Sequence, residues 1–244
     1  MTHTLIGIDC ATQPNNVGLA RGTLDGDRFT IEEVKLGSDV ESIPRAIASW
    51  FGERTLLAFD APLGWPAPLG QVLATHVAGA PITRPREEMF NRLTDRLIHQ
   101  RVGKKPLEVG ADRIARTAHA ALSLLAELGK LAGTRIPLAW EPGAEALSAI
   151  EIYPAATLLT RGCTLRGYKQ NDDTGRAAKQ AIIDAIENEA HLLIDRELLL
   201  SNDDALDAAA CLVAGADFLR RQALAPTADD MKVAKIEGWI WVRG

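Results

Sequence analysis

With 244 residues, 47% hydrophobic and only 5% aromatic, the chain is long enough for one large domain or two small ones, packed mainly by alanine and leucine. It contains no apolar run of about 18 residues, and Met1-Thr2-His3-Thr4 passes directly into Leu5-Ile6-Gly7-Ile8, so neither a transmembrane helix nor a secretory signal is expected. The net charge of -5 is unlike a surface coated with phosphate-binding groups, although local charge distribution matters more than the sum. Cys10, Cys163 and Cys211 are far apart, and the absence of Cys-x-x-Cys supports neither a zinc knuckle nor a disulfide framework; a reducing cytoplasm fits best.

Leu5-Ile6-Gly7-Ile8-Asp9 reads as a buried strand. Val17–Leu24 and Phe29–Leu36 are two extended runs around the hairpin signal Asp25-Gly26. Ile43–Phe51 suits a helix, and Thr55–Asp60 a second buried strand stopped by Pro62 and Gly64. From about residue 65 to about residue 145 the texture changes: prolines first, then an Arg-rich polar stretch from Arg84 to Arg116, then an amphipathic helix over Ala111–Leu131. This segment reads as a largely helical insertion or cap. Ile150–Tyr153 returns to strand, Arg176–Leu193 and Asp203–Arg221 are helices, and Trp239–Val242 is a closing strand or ordered tail. The order predicts one α/β domain over residues 1–244. An antiparallel hairpin followed by helix-linked parallel strands gives a mixed sheet flanked by helices, the layout of the RNase H-like fold.

Three aspartates take comparable places in that order. Asp9 ends the first strand, Asp60 ends the fourth, and Asp207 lies early in a late helix. Ligands in open α/β sheets collect outside the carboxyl ends of strands. Converging carboxylates there repel one another, and a hard cation relieves the conflict. Mg²⁺ or Mn²⁺ is therefore the expected cofactor, as a pair of ions able to activate water and stabilise a leaving oxygen. Asp9 and Asp60 each have a blander reading as turn residues, and Asp203 and Asp204 one as helix N-terminal acids. Asp207 is harder to dismiss, because it shares a stripe with Ala210, Cys211, Ala214 and Phe218 that should face the sheet. Asp204 precedes it by three and can lie on the same side. Glu151, interrupting an apolar strand, is either a further catalytic acid or a salt-bridged edge residue.

The arginines of the insertion, Arg92 and Arg96 foremost, read either as a solvated face or as a phosphate-contacting lip beside the acids. Asp95 is placed to orient one of them, and Tyr168-Lys169 offers another phosphate contact. With Phe90 the one aromatic near these arginines, extensive base stacking is not expected.

Gly7-Ile8-Asp9, Phe59-Asp60-Ala61-Pro62-Leu63-Gly64, Arg92-Leu93-Thr94-Asp95, Glu151-Ile152-Tyr153-Pro154-Ala155-Ala156, Tyr168-Lys169, Asp203-Asp204-Ala205-Leu206-Asp207-Ala208 and Glu237-Gly238-Trp239-Ile240 occur in this order. Together they resemble the bacterial and archaeal family known as domain of unknown function 429, described as predicted nucleases with an RNase H fold. The resemblance spans nearly the whole chain. Asp204-Ala205-Leu206-Asp207-Ala208 is also similar to the acidic C-terminal helix of Holliday-junction resolvases, which implies Asp9, Asp60, Asp204 and Asp207 as metal ligands. Asp60 departs from that pattern, since the resolvases carry a glutamate there. The expectation is a metal-dependent nuclease with nucleic acid, DNA or RNA, as partner; a homodimer is compatible with it. Two alternatives stay open. One is an actin-like phosphotransferase, from the similarity of Gly7–Thr12 with Val17–Ala20 to a phosphate-binding hairpin. The other is a non-catalytic RNase H-like binding module.

Overall fold

The computed structural model describes residues 1–110, 112–170 and 172–244. In chain order the elements are β1 (Thr2–Asp9), β2 (Gly18–Asp25), β3 (Arg28–Leu36), α1 (Ile43–Ala48), β4 (Thr55–Asp60), α2 (Ala67–Leu73), α3 (Arg86–Phe90), α4 (Leu93–Val102), α5 (Asp112–Ala132), β5 (Leu147–Glu151), α6 (Pro154–Leu159), α7 (Asp173–Glu187), β6 (His191–Leu192), α8 (Arg196–Ser201), α9 (Asp203–Leu219) and α10 (Asp230–Glu237). The strands form one mixed sheet in the order β5-β4-β1-β2-β3-β6. β1, β2 and β3 pair antiparallel, whereas β1–β4, β4–β5 and β3–β6 pair parallel. This α/β arrangement is consistent with the RNase H-like layout read from the sequence.

Alternation along the strands explains why helices cover both faces. Leu5, Ala20, Ile31, Leu56 and Ala58 point to one side and bury against α9. Ile6, Ile8, Leu19, Leu57 and Phe59 point to the other and meet Ile47, Trp50, Ala121 and Leu128 of the α1–α5 layer. A central strand covered on both faces has no solvent side, hence the unbroken apolar runs of β1 and β4.

Helix α9 is buried all round from Ala205 to Phe218 rather than along one stripe. Its small side chains let its backbone lie directly on the sheet. A Cβ on Gly7 would overlap the carbonyl oxygen of Ala208, and one on Gly18 that of Asp204. These two glycines therefore admit the first turns of α9 against β1 and β2, which brings its acids to the carboxyl end of β1.

Several boundaries differ from the sequence reading. Helix α1 stops at Ala48, and β5 runs from Leu147 to Glu151, with Pro154 opening α6 instead of merely ending a strand. Proline suits the first turn of a helix, where its missing N–H has no intrahelical partner. The helix expected to run to Leu193 ends at Glu187. His191–Leu192 is a two-residue strand beside β3, too short to show a period. Ala111, the first residue of the expected amphipathic helix, lies outside the described residues; from Asp112 to Ala132 that helix is present. Trp239–Val242 makes lone bridges, Ile240 to Glu151 and nearby Arg243 to Ala223, and is not a full strand. Among the described residues no helix is long and apolar enough to cross a membrane.

Candidate functional site

Asp9 and Asp60 are Cα partners in the parallel β1–β4 ladder, side by side at its carboxyl end. Each follows a run of at least four buried residues and keeps part of its own surface open. The acids of α9 complete the cluster. Asn202 caps this helix, its side chain accepting from the Ala205 N–H, so the acids that follow are not needed as caps. Asp203 is engaged in an ion pair with the buried Lys179. Asp204 is half-buried and Asp207 buried.

Register and packing bring these acids to one end of the sheet: Asp9 pairs with Asp60 on one side and with Gly18 on the other, and Gly18 lies against the Asp204 carbonyl. Burial holds Asp9 well above the usual carboxylate range, and the charges of Asp60, Asp207 and Asp204 push it further. Asp60 is raised well by burial and then by Asp207, and Glu151 adds to the effect. Asp204 and Asp207 are raised by burial too, with Lys169 the main opposing charge at both. One ammonium thus lies within electrostatic reach of four carboxylates. Lys169 Nζ sits 2.7 Å from Asp207 Oδ2, and the Tyr168 hydroxyl lies 3.2 and 3.3 Å from the two Asp207 oxygens. Burial works against the Lys169 charge, but Asp207 outweighs it and raises the ammonium pKa. Burial likewise raises the Tyr168 phenol. Tyr168 and Lys169, expected as phosphate contacts, are therefore anchored on an acid of the cluster.

Arg92 and Glu151 are brought together as an ion pair: Glu151 takes the salt-bridged edge-strand form of its two readings, whereas Arg92 is neither a solvated arginine nor a phosphate contact. The Arg92 side chain is 1% exposed. Its guanidinium donates to both Asp95 oxygens, to both Glu151 oxygens and to the Glu237 carbonyl. All five of its N–H groups are engaged, so none remains for a phosphate. Glu151 also accepts from the Leu63 N–H at 2.9 Å, which ties down the loop that follows Asp60. Burial raises the Glu151 pKa, and Arg92 opposes it. Nearby, Glu237 accepts from the Ala67 and Leu93 N–H groups and so joins α10 to the starts of α2 and α4. The lip of arginines is an interior clamp at this point, because the Arg92 guanidinium finds two carboxylates, Asp95 and Glu151, to replace the water it gives up. Arg96 stays exposed, with its Nη1 on the Asn91 carbonyl.

A cleft of about 560 Å³ opens beside Asp60 and is lined by Pro62, Leu107, Arg113 and Tyr153 among others. Arg113 has no ion-pair partner among the described residues, unlike Arg84, Arg86, Lys105 and Arg116. Burial, and then the Asp60 charge, raise the Tyr153 phenol to about 12. Arg113 is one of the insertion arginines read as a solvated face or a phosphate-contacting lip, whereas Tyr153 did not stand out in the sequence as a site residue. The one available signal for Tyr153 was its position two residues after Glu151 at the carboxyl end of a strand.

The donor set suits a hard cation: Asp9, Asp60, Asp204 and Asp207 offer only oxygens. Among the described residues no group of three or more His, Cys, Asp or Glu side chains forms a ready metal cage. Mg²⁺ does not require one, since it is commonly held by one or two carboxylates, with water and phosphate oxygens completing the shell. Asp9 and Asp60 meet that demand, and a cation between them would offset the negative charge gathered around both.

No curated protein and no solved structure matches the chain. The family model described as "Protein of unknown function (DUF429)" matches residues 7–231, nearly the full length, and the chain belongs to that family.

Proposed function

We propose that the protein is a divalent-metal-dependent phosphodiesterase acting on nucleic acid, with Asp9 and Asp60 holding Mg²⁺ or Mn²⁺. The observation that carries this reading is the side-by-side register of Asp9 and Asp60 at the carboxyl ends of β1 and β4, with Asp204 and Asp207 delivered to the same place by α9. When bound, the cation supplies charge neutralisation to a phosphate and acidifies a water. The remaining tasks fall to the chain. Asp204 is half-open to solvent and held above the ordinary carboxylate range, so it suits a proton acceptor for the attacking water. Oxygen then bonds to phosphorus, the bond to the leaving ester oxygen breaks, and that oxygen takes a proton from solvent. Tyr153 and Leu107 offer an apolar wall for an unstacked nucleotide, and Arg113 a cation for its phosphate.

The test is a panel of single-stranded, double-stranded, hybrid and branched nucleic acids with Mg²⁺ or Mn²⁺. Cleavage is expected, abolished by chelation and by Asp9→Asn or Asp207→Asn, and kept in Asp27→Asn on the distant hairpin turn. Failure to cut any substrate, or cutting that survives Asp9→Asn, overturns the reading. Thermal stabilisation by ATP without cleavage would move it to a phosphotransferase.

A further inference from the structure

Asp207 already has a cation. Lys169 Nζ lies 2.7 Å from its Oδ2, and the Tyr168 hydroxyl spans both its oxygens. The arrangement is built into the fold rather than left to a free surface side chain. Gly167, at φ +80°, opens a turn closed by the Gln170 N–H on the Gly167 carbonyl at 2.8 Å. That turn packs on the first turn of α7, where a Cβ on Gly175 would overlap the Gln170 carbonyl. Tyr168 is buried in the main core, and the Lys169 ammonium also lies 5.4 Å from the centre of its ring. Lys169 is thus delivered to the acid cluster by a fixed turn with a buried neighbour.

An ammonium held on Asp207 puts a positive charge among the acids, the service a second metal ion would otherwise give. An ammonium carries three N–H donors, and among the described residues the fold uses one, on Asp207. About half of the side chain, 54%, stays open. Two donors therefore remain to meet a phosphate oxygen while the third stays on Asp207. A second divalent ion at Asp207 would have to compete with this ammonium and the Tyr168 hydroxyl for a buried carboxylate.

On the proposed metal-dependent reading, we infer that Lys169 stands in place of a second metal ion. The site takes one divalent cation, on Asp9 and Asp60, and Lys169 bridges Asp207 to the substrate phosphate. This differs from the pair of ions that the carboxylate pattern alone leads one to expect.

The test is the stoichiometry of Mn²⁺ binding to the intact protein, read by electron paramagnetic resonance of free Mn²⁺ and by titration calorimetry. Wild type is expected to bind one ion per chain. Lys169→Met should bind two, whereas Lys169→Arg should stay at one. Asp207→Asn serves as a second variant: it should still bind one ion, because the metal rests on the strand aspartates. Two ions in wild type, or one ion in a folded Lys169→Met, would overturn the inference and leave the metal-dependent reading standing. Loss of the wild-type ion in Asp207→Asn would also overturn it, by placing the metal on the helix. No binding to any of the proteins would remove both.

Discussion

Arg92 and Glu151 meet through two short contacts, Nη2 to Oε1 at 2.6 Å and Nη1 to Oε2 at 2.7 Å, with both side chains almost wholly buried. They are 59 residues apart in the chain. The pair joins the start of α4 to the end of β5 and, through the Leu63 N–H, holds the loop after Asp60. Removing one partner strands the other charge in the interior. Arg92→Ala or Glu151→Ala should therefore cost about 3–5 kcal/mol. Urea unfolding checks this, and a loss below about 1 kcal/mol, within the range of an exposed pair, would show that the clamp is not a structural device.

The strand aspartates should make the metal-free protein less stable as pH rises. Their folded pKa values lie above the unfolded value of about 3.9. The folded state therefore binds more protons through that interval. The associated stability is fully present below the unfolded pKa and is lost as pH climbs through the raised folded values. Asp9→Asn should flatten this loss and leave the metal-free protein folded, stabilised by roughly 0.5–2 kcal/mol at neutral pH. Melting curves against pH, with and without Mg²⁺, check the sign. Equal Mg²⁺ stabilisation of wild type and Asp9→Asn would remove Asp9 from the ligand set.

Gly7→Ala would place a methyl group on the Ala208 carbonyl oxygen and 2.9 Å from the Cys211 Cβ. Backbone cannot swing aside as a flexible side chain can. The expected cost is about 1–3 kcal/mol or more, with α9 displaced from β1 and the acid cluster loosened. A variant with unchanged stability and unchanged metal affinity would show that the close approach of α9 is not what assembles the site.

The cleft and the clamp separate two kinds of arginine. Arg113→Ala should weaken nucleic-acid binding and reduce the slope of log affinity against log salt by about 1. Arg96→Ala should change the slope less, because its guanidinium already donates to the Asn91 carbonyl. Filter binding at several salt concentrations measures both. An unchanged slope in Arg113→Ala would return this part of the insertion to a solvated face.

Periodicity and turn chemistry carry much of this fold. The apolar runs of β1 and β4 and the Asp25-Gly26 turn are local signals, and so is the amphipathic pattern of α5; each appears where the sequence places it. Asp9 and Asp60 were legible as strand-end acids because a polar residue closing an apolar run is visible without knowing its neighbours. Asp207 was legible because it interrupts the apolar side of a helix. The partners were not legible. Nothing within a few residues of Arg92 says that Glu151 will neutralise it, and nothing near Lys169 says that it will rest on Asp207 rather than on a phosphate. Tyr153 lines the cleft beside Asp60 because β5 pairs with β4, and Arg113 because the segment before β5 folds back beside it. A charge reads the same in sequence whether it ends in water or in an ion pair. The difference is a balance of desolvation against a partner that can lie dozens of residues away, and only the packed chain decides it.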